Sequence, residues 1–197
     1  MPNFSPVISG FTPPGEDFDL WPVSEAVGTW LRLDGSAGPD DVGSALRTIY
    51  LHSGGSAAGS ADEAVRELIG FDTLYAPGGL LLRDGDGIEA EPGPHSELFA
   101  WRAWLAALYR ADIDLGPGPW VEYVGDVVRV WTAEGRDGPH VDIGRPALPG
   151  MLRQAQRDLT AFLGALRTWA RTHSPRQTEL LVAAVDAGLE ITEPLPL

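Results

Sequence analysis

The groups in this chain with the means to do chemistry are four histidines and a surplus of carboxylates. His52, His95, His140 and His173 match no zinc-binding spacing, and no HExxH pair occurs. His140 and Asp142 alternate in "HVDIG", so a strand there would turn both side chains to one face, where a third group would complete a polar site. Asp84-Gly85-Asp86-Gly87 has the oxygen-rich look of a calcium loop, but it lacks the ligand spacing and the bidentate Glu of an EF-hand. Its composition is that of a hairpin turn. Ser53 is not in a GxSxG elbow, and the glycine-rich "SGGSAAGSA" after His52 has neither a Walker Lys nor dinucleotide spacing. The residues therefore nominate no catalytic group, no metal and no cofactor. His140 and Asp142 stand as an alternative polar site for a small molecule or a hydrolytic reaction.

The elements that must position these groups follow from periodicity. Residues 1–20, with their Pro and Gly and the acids Glu16, Asp17 and Asp19, read as an extended lead-in. A first helix is expected from Val23 to Leu33, with Val23, Val27, Trp30 and Leu31 on one face. A short helix or strand follows at Ala45–Leu51, then a mobile loop over residues 53–61 and a helix from Asp62 to Ile69. Leu80–Arg83 and Ile88–Glu91 pair around the Asp/Gly turn.

In "PHSELFAWRAWLAALY" a helix starting at Ser96 gathers Leu98, Trp101, Trp104, Leu105, Leu108 and Tyr109 on one face at about 100° per residue. Trp104 and Tyr109 lie at its rims. Past a Gly/Pro linker over residues 112–119, "WVEYVGDVVRVW" is a hairpin about Gly125-Asp126. Its register sets Trp120 opposite Trp131, Val121 opposite Val130, Glu122 opposite Arg129 and Tyr123 opposite Val128. His140–Ile143 is a further strand. A long helix from Ala147 to Arg171 carries the stripe Leu148, Leu152, Ala155, Leu159, Phe162, Leu166 and Trp169. A last helix is capped by Ser174 and stopped by Gly188. Together these elements predict one α+β domain over residues 1–197. Its antiparallel sheet carries the hairpin at 120–131, helices pack on one side, and residues 174–197 form a closing helix and tail.

Charge narrows the partner. The chain has 28 acidic residues against 14 basic ones, all Arg, for a net charge of −14. Residues 1–100 hold 16 acids and 4 Arg, a net of −12. Such a surface repels phosphate backbones and excludes nucleic acid, whereas it attracts a basic protein and speeds the encounter. The acidic loop residues Asp84, Asp86, Glu89 and Glu91, with His95 and Trp104 beside them, are the expected partner-binding set. No apolar run reaches the roughly 20 residues needed to span a bilayer. The N-terminal stretch lacks a basic segment and an apolar core, and Cys is absent, so a cytoplasmic protein without membrane contact is expected.

The order of elements, with Gly125-Asp126, Val127–Trp131, Val141–Ile143 and the late helix core Leu159, Phe162 and Leu163, resembles the SUKH superfamily of small α+β proteins. The segments "LYAPGG" and "PWVEYVGDVVRVW" are also similar to uncharacterised proteins of GC-rich actinobacteria. Those carry Cys and His-Asp where this chain reads Pro94-His95 and Gly116-Pro117-Gly118. The SUKH resemblance implies a bacterial immunity protein that neutralises a toxin domain by binding it, without catalysis or cofactor.

Overall fold

The computed structural model describes residues 1–10, 18–25, 28–113, 115, 119–132 and 138–197. These form an α+β fold with two small antiparallel sheets and a long helix near the C-terminus. In chain order the elements are β1 (Asn3–Ser9), β2 (Trp30–Arg32), α1 (Pro39–His52), α2 (Ala61–Ile69), β3 (Gly78–Arg83) and β4 (Glu89–Ala90). A 3-10 helix (Leu98–Tyr109), β5 (Trp120–Val124), β6 (Val127–Trp131), β7 (His140–Gly144), α3 (Leu148–His173) and α4 (Thr178–Leu189) follow.

The first sheet has the order β2-β1-β3-β4, which places the expected lead-in at its centre. β1 buries Phe4, Val7 and Ile8. Pro6 argues against a central strand because it has no N–H to donate. It is tolerated here because the β1–β2 ladder begins only at Val7↔Arg32, and the Pro6 carbonyl accepts from Leu33 N at 2.9 Å. β3 approaches β1 so closely that a Cβ on Gly78 would lie 2.2 Å from the Val7 carbonyl oxygen, so only glycine fits that rung.

The helix expected over Val23–Leu33 does not form. Trp30, Leu31 and Arg32 instead add a three-residue strand to β1, with Ile8 opposite Leu31 and Ser9 opposite Trp30. Val27 lies outside the described residues, as do Glu16, Asp17 and part of the 112–119 linker. The short element expected at Ala45–Leu51 is the second half of α1. That helix opens on Pro39 with Asp40 and Asp41 in its first turn, where negative charge complements the helix dipole. α2 begins at Ala61, one residue before the expected Asp62, behind a capping box: Ser60 Oγ accepts from Glu63 N, and Ser60 N donates to Glu63 Oε2 at 3.0 Å.

In the second sheet, β5-β6-β7, the hairpin has the register read from the sequence, from Trp120↔Trp131 to Val124↔Val127. β7 continues it with Trp131↔His140 and Arg129↔Asp142. Val128, Val130, Val141 and Ile143 face the core and are buried. The hairpin turn is tied to the end of the 3-10 helix. Arg145 donates to Asp126 Oδ1 at 2.6 Å and to the Leu108 carbonyl at 3.1 Å, and Arg110 donates to the Gly125 carbonyl at 2.6 Å. The hydrogen bond and charge of Arg145 hold the Asp126 carboxyl below its ordinary range.

Two helix boundaries differ from expectation. Ser174 does not cap the last helix: its N–H still donates to Ala170 O at 2.8 Å, and its hydroxyl donates to Asp62 at 2.8 Å, joining the α3–α4 turn to the start of α2. Gln177 is the cap. Gly188 does not stop α4 either. The helix runs one residue further, and a Cβ on Gly188 would lie 2.9 Å from the Leu74 side chain, so its glycine serves close packing.

The α3 stripe is buried along its whole length, and one contiguous core joins it to both sheets and the other helices. The tail after α4 is clamped. Arg102 donates to the carbonyls of Glu190, Glu193 and Pro194 at 2.8, 2.9 and 2.7 Å, and Gln156 donates to those of Ile191 and Glu193 at 2.8 Å. Among the described residues no helix is long and apolar enough to cross a membrane.

Phe162→Ala empties the centre of the stripe and is expected to cost about 3–5 kcal/mol in urea unfolding. Arg102→Ala should leave that midpoint nearly unchanged while amides of residues 190–197 exchange with solvent faster, read by hydrogen exchange. Unchanged exchange there would show that Gln156 and the hydrogen bonds of Thr192 to Asp186 hold the tail without Arg102.

Candidate functional site

The Trp-rich segment folds with a period of 3.0 rather than 3.6 residues. Leu98, Trp101, Trp104 and Ala107, each three apart, are its buried residues. In a 3-10 helix residues i and i+3 eclipse, so this spacing makes one straight stripe. Runs of this length need outside support. Trp101 supplies part of it by donating its indole N–H to the Leu189 carbonyl at 3.0 Å, and Trp104 packs on the Phe4 ring at 4.7 Å. The expected rim positions therefore diverge: Trp104 is buried, and Tyr109 is 76% exposed. Ser96 does not start the helix. Its hydroxyl donates to the Leu115 carbonyl at 2.7 Å, and Glu97 is the cap.

Residues 76–78 are zipped to 96–98: Leu98 N donates to Ala76 O at 2.8 Å, Gly78 N to Ser96 O at 2.9 Å, and Pro77 bridges Glu97. This closure leaves a cleft of about 220 Å³ between β3–β4 and the 3-10 helix. Leu80, Leu82, Trp101, Trp104 and Val130 form its apolar wall, and Glu91, His95, Ser96 and Glu97 line it with polar groups. Phe99, 43% exposed, stands among the lining residues. Glu97 Oε2 accepts from Ala76 N at 2.7 Å. Burial pushes the Glu97 carboxyl above its usual range, against the opposing pull of that N–H and of His52.

The cleft thus unites three of the expected partner residues, Glu91, His95 and Trp104, with Glu97 and Phe99, which the sequence reading did not single out. One signal was available: Glu97 is an acid set directly before an apolar run, two residues after His95.

The other expected residues lie elsewhere. Asp84 and Asp86 border an open groove whose far side is His140 and Asp142, so the two sets proposed for different roles face each other across the sheets. Asp84 is used by its own turn, its Oδ1 accepting from Asp86 N and Ile88 N at 2.8 Å each. Glu89 is paired with Arg83 across the β3–β4 ladder. Asp86 and Glu91 present their side chains to solvent.

His140 and Asp142 do share a face, within a cross-strand array rather than a reactive pair. Arg129 forks onto Asp142, Nε to Oδ1 at 2.8 Å and Nη2 to Oδ2 at 2.9 Å, which holds that carboxyl below its ordinary range. Glu122 stands opposite Arg129 as the register predicts and acts on it through charge, and its carboxylate also accepts from Trp131 Nε1 at 3.3 Å. Trp131 stacks on Trp120 at 5.8 Å and meets the His140 ring at 4.7 Å. His140 Nε2 is 3.9 Å from Asp142 Oδ1, beyond hydrogen-bond reach. With both carboxylate oxygens accepting from Arg129, Asp142 is poorly placed to act as a base. Among the described residues no group of three or more His, Asp or Glu is disposed to hold a metal ion.

No family model, curated protein or solved structure matches this chain.

A carboxyl whose folded pKa is depressed adds stability above its unfolded value, about 3.9 for Asp, and that contribution is lost as pH falls through the folded value. Asp142→Asn should therefore lower Tm at pH 7, with the difference from the parent shrinking below about pH 4. A difference that stays constant across this range would show that Asp142 contributes through packing rather than charge.

Proposed function

We propose that this protein is a non-catalytic, cytoplasmic protein-binding domain whose partner presents a basic surface, in the manner of a SUKH-like immunity protein that neutralises a toxin domain. The observation that carries this reading is the exposed carboxylate of Glu91 at the rim of an apolar cleft, with that of Asp86 on the same hairpin. Asp86 at the tip of the β3–β4 hairpin and Glu91 at its base flank the strand pair, and Glu91 also lines the cleft that holds Trp104, His95 and Phe99. An apolar depression beside acidic groups suits an anchoring side chain with basic neighbours on the partner. The net charge of −14 would steer such a partner inward over distances comparable with the Debye length.

Asp142 is held by Arg129, and His140 packs on Trp131. The alternative of a small-molecule site therefore finds better support in the cleft than at His140 and Asp142.

The product of the adjacent gene is the partner to test. In stopped-flow association, Asp86→Lys combined with Glu91→Lys should slow binding about tenfold at low salt, and the difference should largely vanish at about 0.5 M salt, where exposed charges are screened. An association rate indifferent to both the double reversal and salt would overturn electrostatic capture through this edge.

A further inference from the structure

We propose that the cleft between β3–β4 and the 3-10 helix binds a small organic cation, an ammonium carried on an aryl or branched-alkyl body. The inference goes beyond the protein-binding reading and needs only the cleft. Its volume of about 220 Å³ exceeds the roughly 150 Å³ of an apolar protein cavity that accepts benzene, so a phenyl ring with a short side chain is of the right size. Leu80, Leu82, Trp101 and Trp104 back the cleft as buried apolar groups, and Phe99, 43% exposed, is the ring that an entering apolar body can reach.

The charge of the lining selects the head group. Glu91 and Glu97 are both among the lining residues, and among the described residues no Arg lines the cleft, although every basic residue of the chain apart from His is Arg. A carboxylate-bearing ligand of the same shape would meet two like charges. An ammonium would meet two opposite ones, and the exposed Phe99 ring, also in the lining, offers it a face for a cation–π contribution. Glu97 is the stronger determinant of the two. Its carboxylate is half-buried and held in place by the Ala76 N–H at 2.7 Å, so it need not be ordered when the ligand arrives. Burial also penalises its charged form, and a bound cation would offset that penalty.

His52 is a charged neighbour of Glu97 that also favours its carboxylate, and a bound ammonium would add to that pull. His95 is exposed, and Ser96 directs its hydroxyl to the Leu115 carbonyl, away from the carboxylates. The cleft therefore presents its negative groups to whatever enters it.

The test is titration of the full chain with phenethylamine, followed by calorimetry and by backbone amide shifts. Saturable binding with a Kd at or below about 1 mM is expected, with the shifts centred on Gly78, Gly79 and Ser96. Phenylpropionate, of similar shape and opposite charge, should bind at least about tenfold more weakly, as should the uncharged phenethyl alcohol. Glu97→Gln keeps an oxygen for the Ala76 N–H and should weaken the amine about tenfold while leaving the affinity for the alcohol and the Tm essentially unchanged.

Asp86→Lys, outside the cleft, should not alter amine binding, which separates this result from the fate of the protein-binding reading. Equal affinity for amine, alcohol and acid would overturn the proposal, as would shifts centred elsewhere or no saturation. So would the same shifts produced by a lysine-bearing peptide and not by the free amine.

Discussion

The apolar stripe of α3 is the surface on which the other elements come to rest. From Leu148 to Trp169 its seven positions are buried, and the helix packs against β1, α1, α4 and the 3-10 helix. A helix of 26 residues is stable in proteins chiefly through such a face rather than through propensity. The reverse also holds here. β1 can be buried at the centre of its sheet because its side chains have this helix to cover them. The two small sheets, neither of which has more than four strands, share one core with it.

The cleft is a consequence of how the Trp-rich segment meets that core. A 3-10 helix is narrower than an α-helix and eclipses every third side chain, so its contact with the sheet is a single line of Leu98, Trp101, Trp104 and Ala107. One line of contact does not cover the neighbouring β3–β4 surface. The space left beside it is floored by the same two tryptophans and bordered by the loop that carries Glu91, His95 and Glu97. The indole N–H of Trp101 and the guanidinium of Arg102, adjacent in sequence, both end on carbonyls at the C-terminal end of the chain. Closing of the tail and shaping of the cleft are thus properties of one segment.

The outer face of the second sheet shows how an acidic protein organises its few cations. Arg129 lies over the Trp131 ring at 5.7 Å and forks onto Asp142, while Arg110 and Arg145 converge on the hairpin turn at Asp126. Each of these guanidiniums uses its several donors to join two elements. The planar fork of Arg is suited to this, and a Lys ammonium would not reproduce it. On the β3–β4 hairpin, Asp86 and Glu91 stay exposed.

Local periodicity was enough for the elements whose pattern and pairing are contained within a short stretch. The hairpin at 120–131 could be read to the register because its turn and its cross-strand pairs lie within twelve consecutive residues. The stripe of α3 and the turn at Asp84–Gly87 were legible for the same reason. Trp30 and Leu31 were misread because helical spacing over Val23–Leu33 is equally compatible with a strand, and the deciding partner, β1, is more than twenty residues away. The division into two sheets, the central place of β1 and the 3-10 period of the Trp segment all depend on such distant contacts.

The same distinction governs the site. Composition and local pattern establish the acidic balance, the α+β class and the candidates Glu91, His95 and Trp104. That these three share a cleft with Glu97 and Phe99, that Asp84 and Glu89 are held by their own hairpin, and that Arg129 takes Asp142 follows from the folded chain alone. The physical reason is that a side chain's availability depends on which donors and apolar surfaces the fold brings within a few ångströms, and residue spacing along the chain carries no information about that.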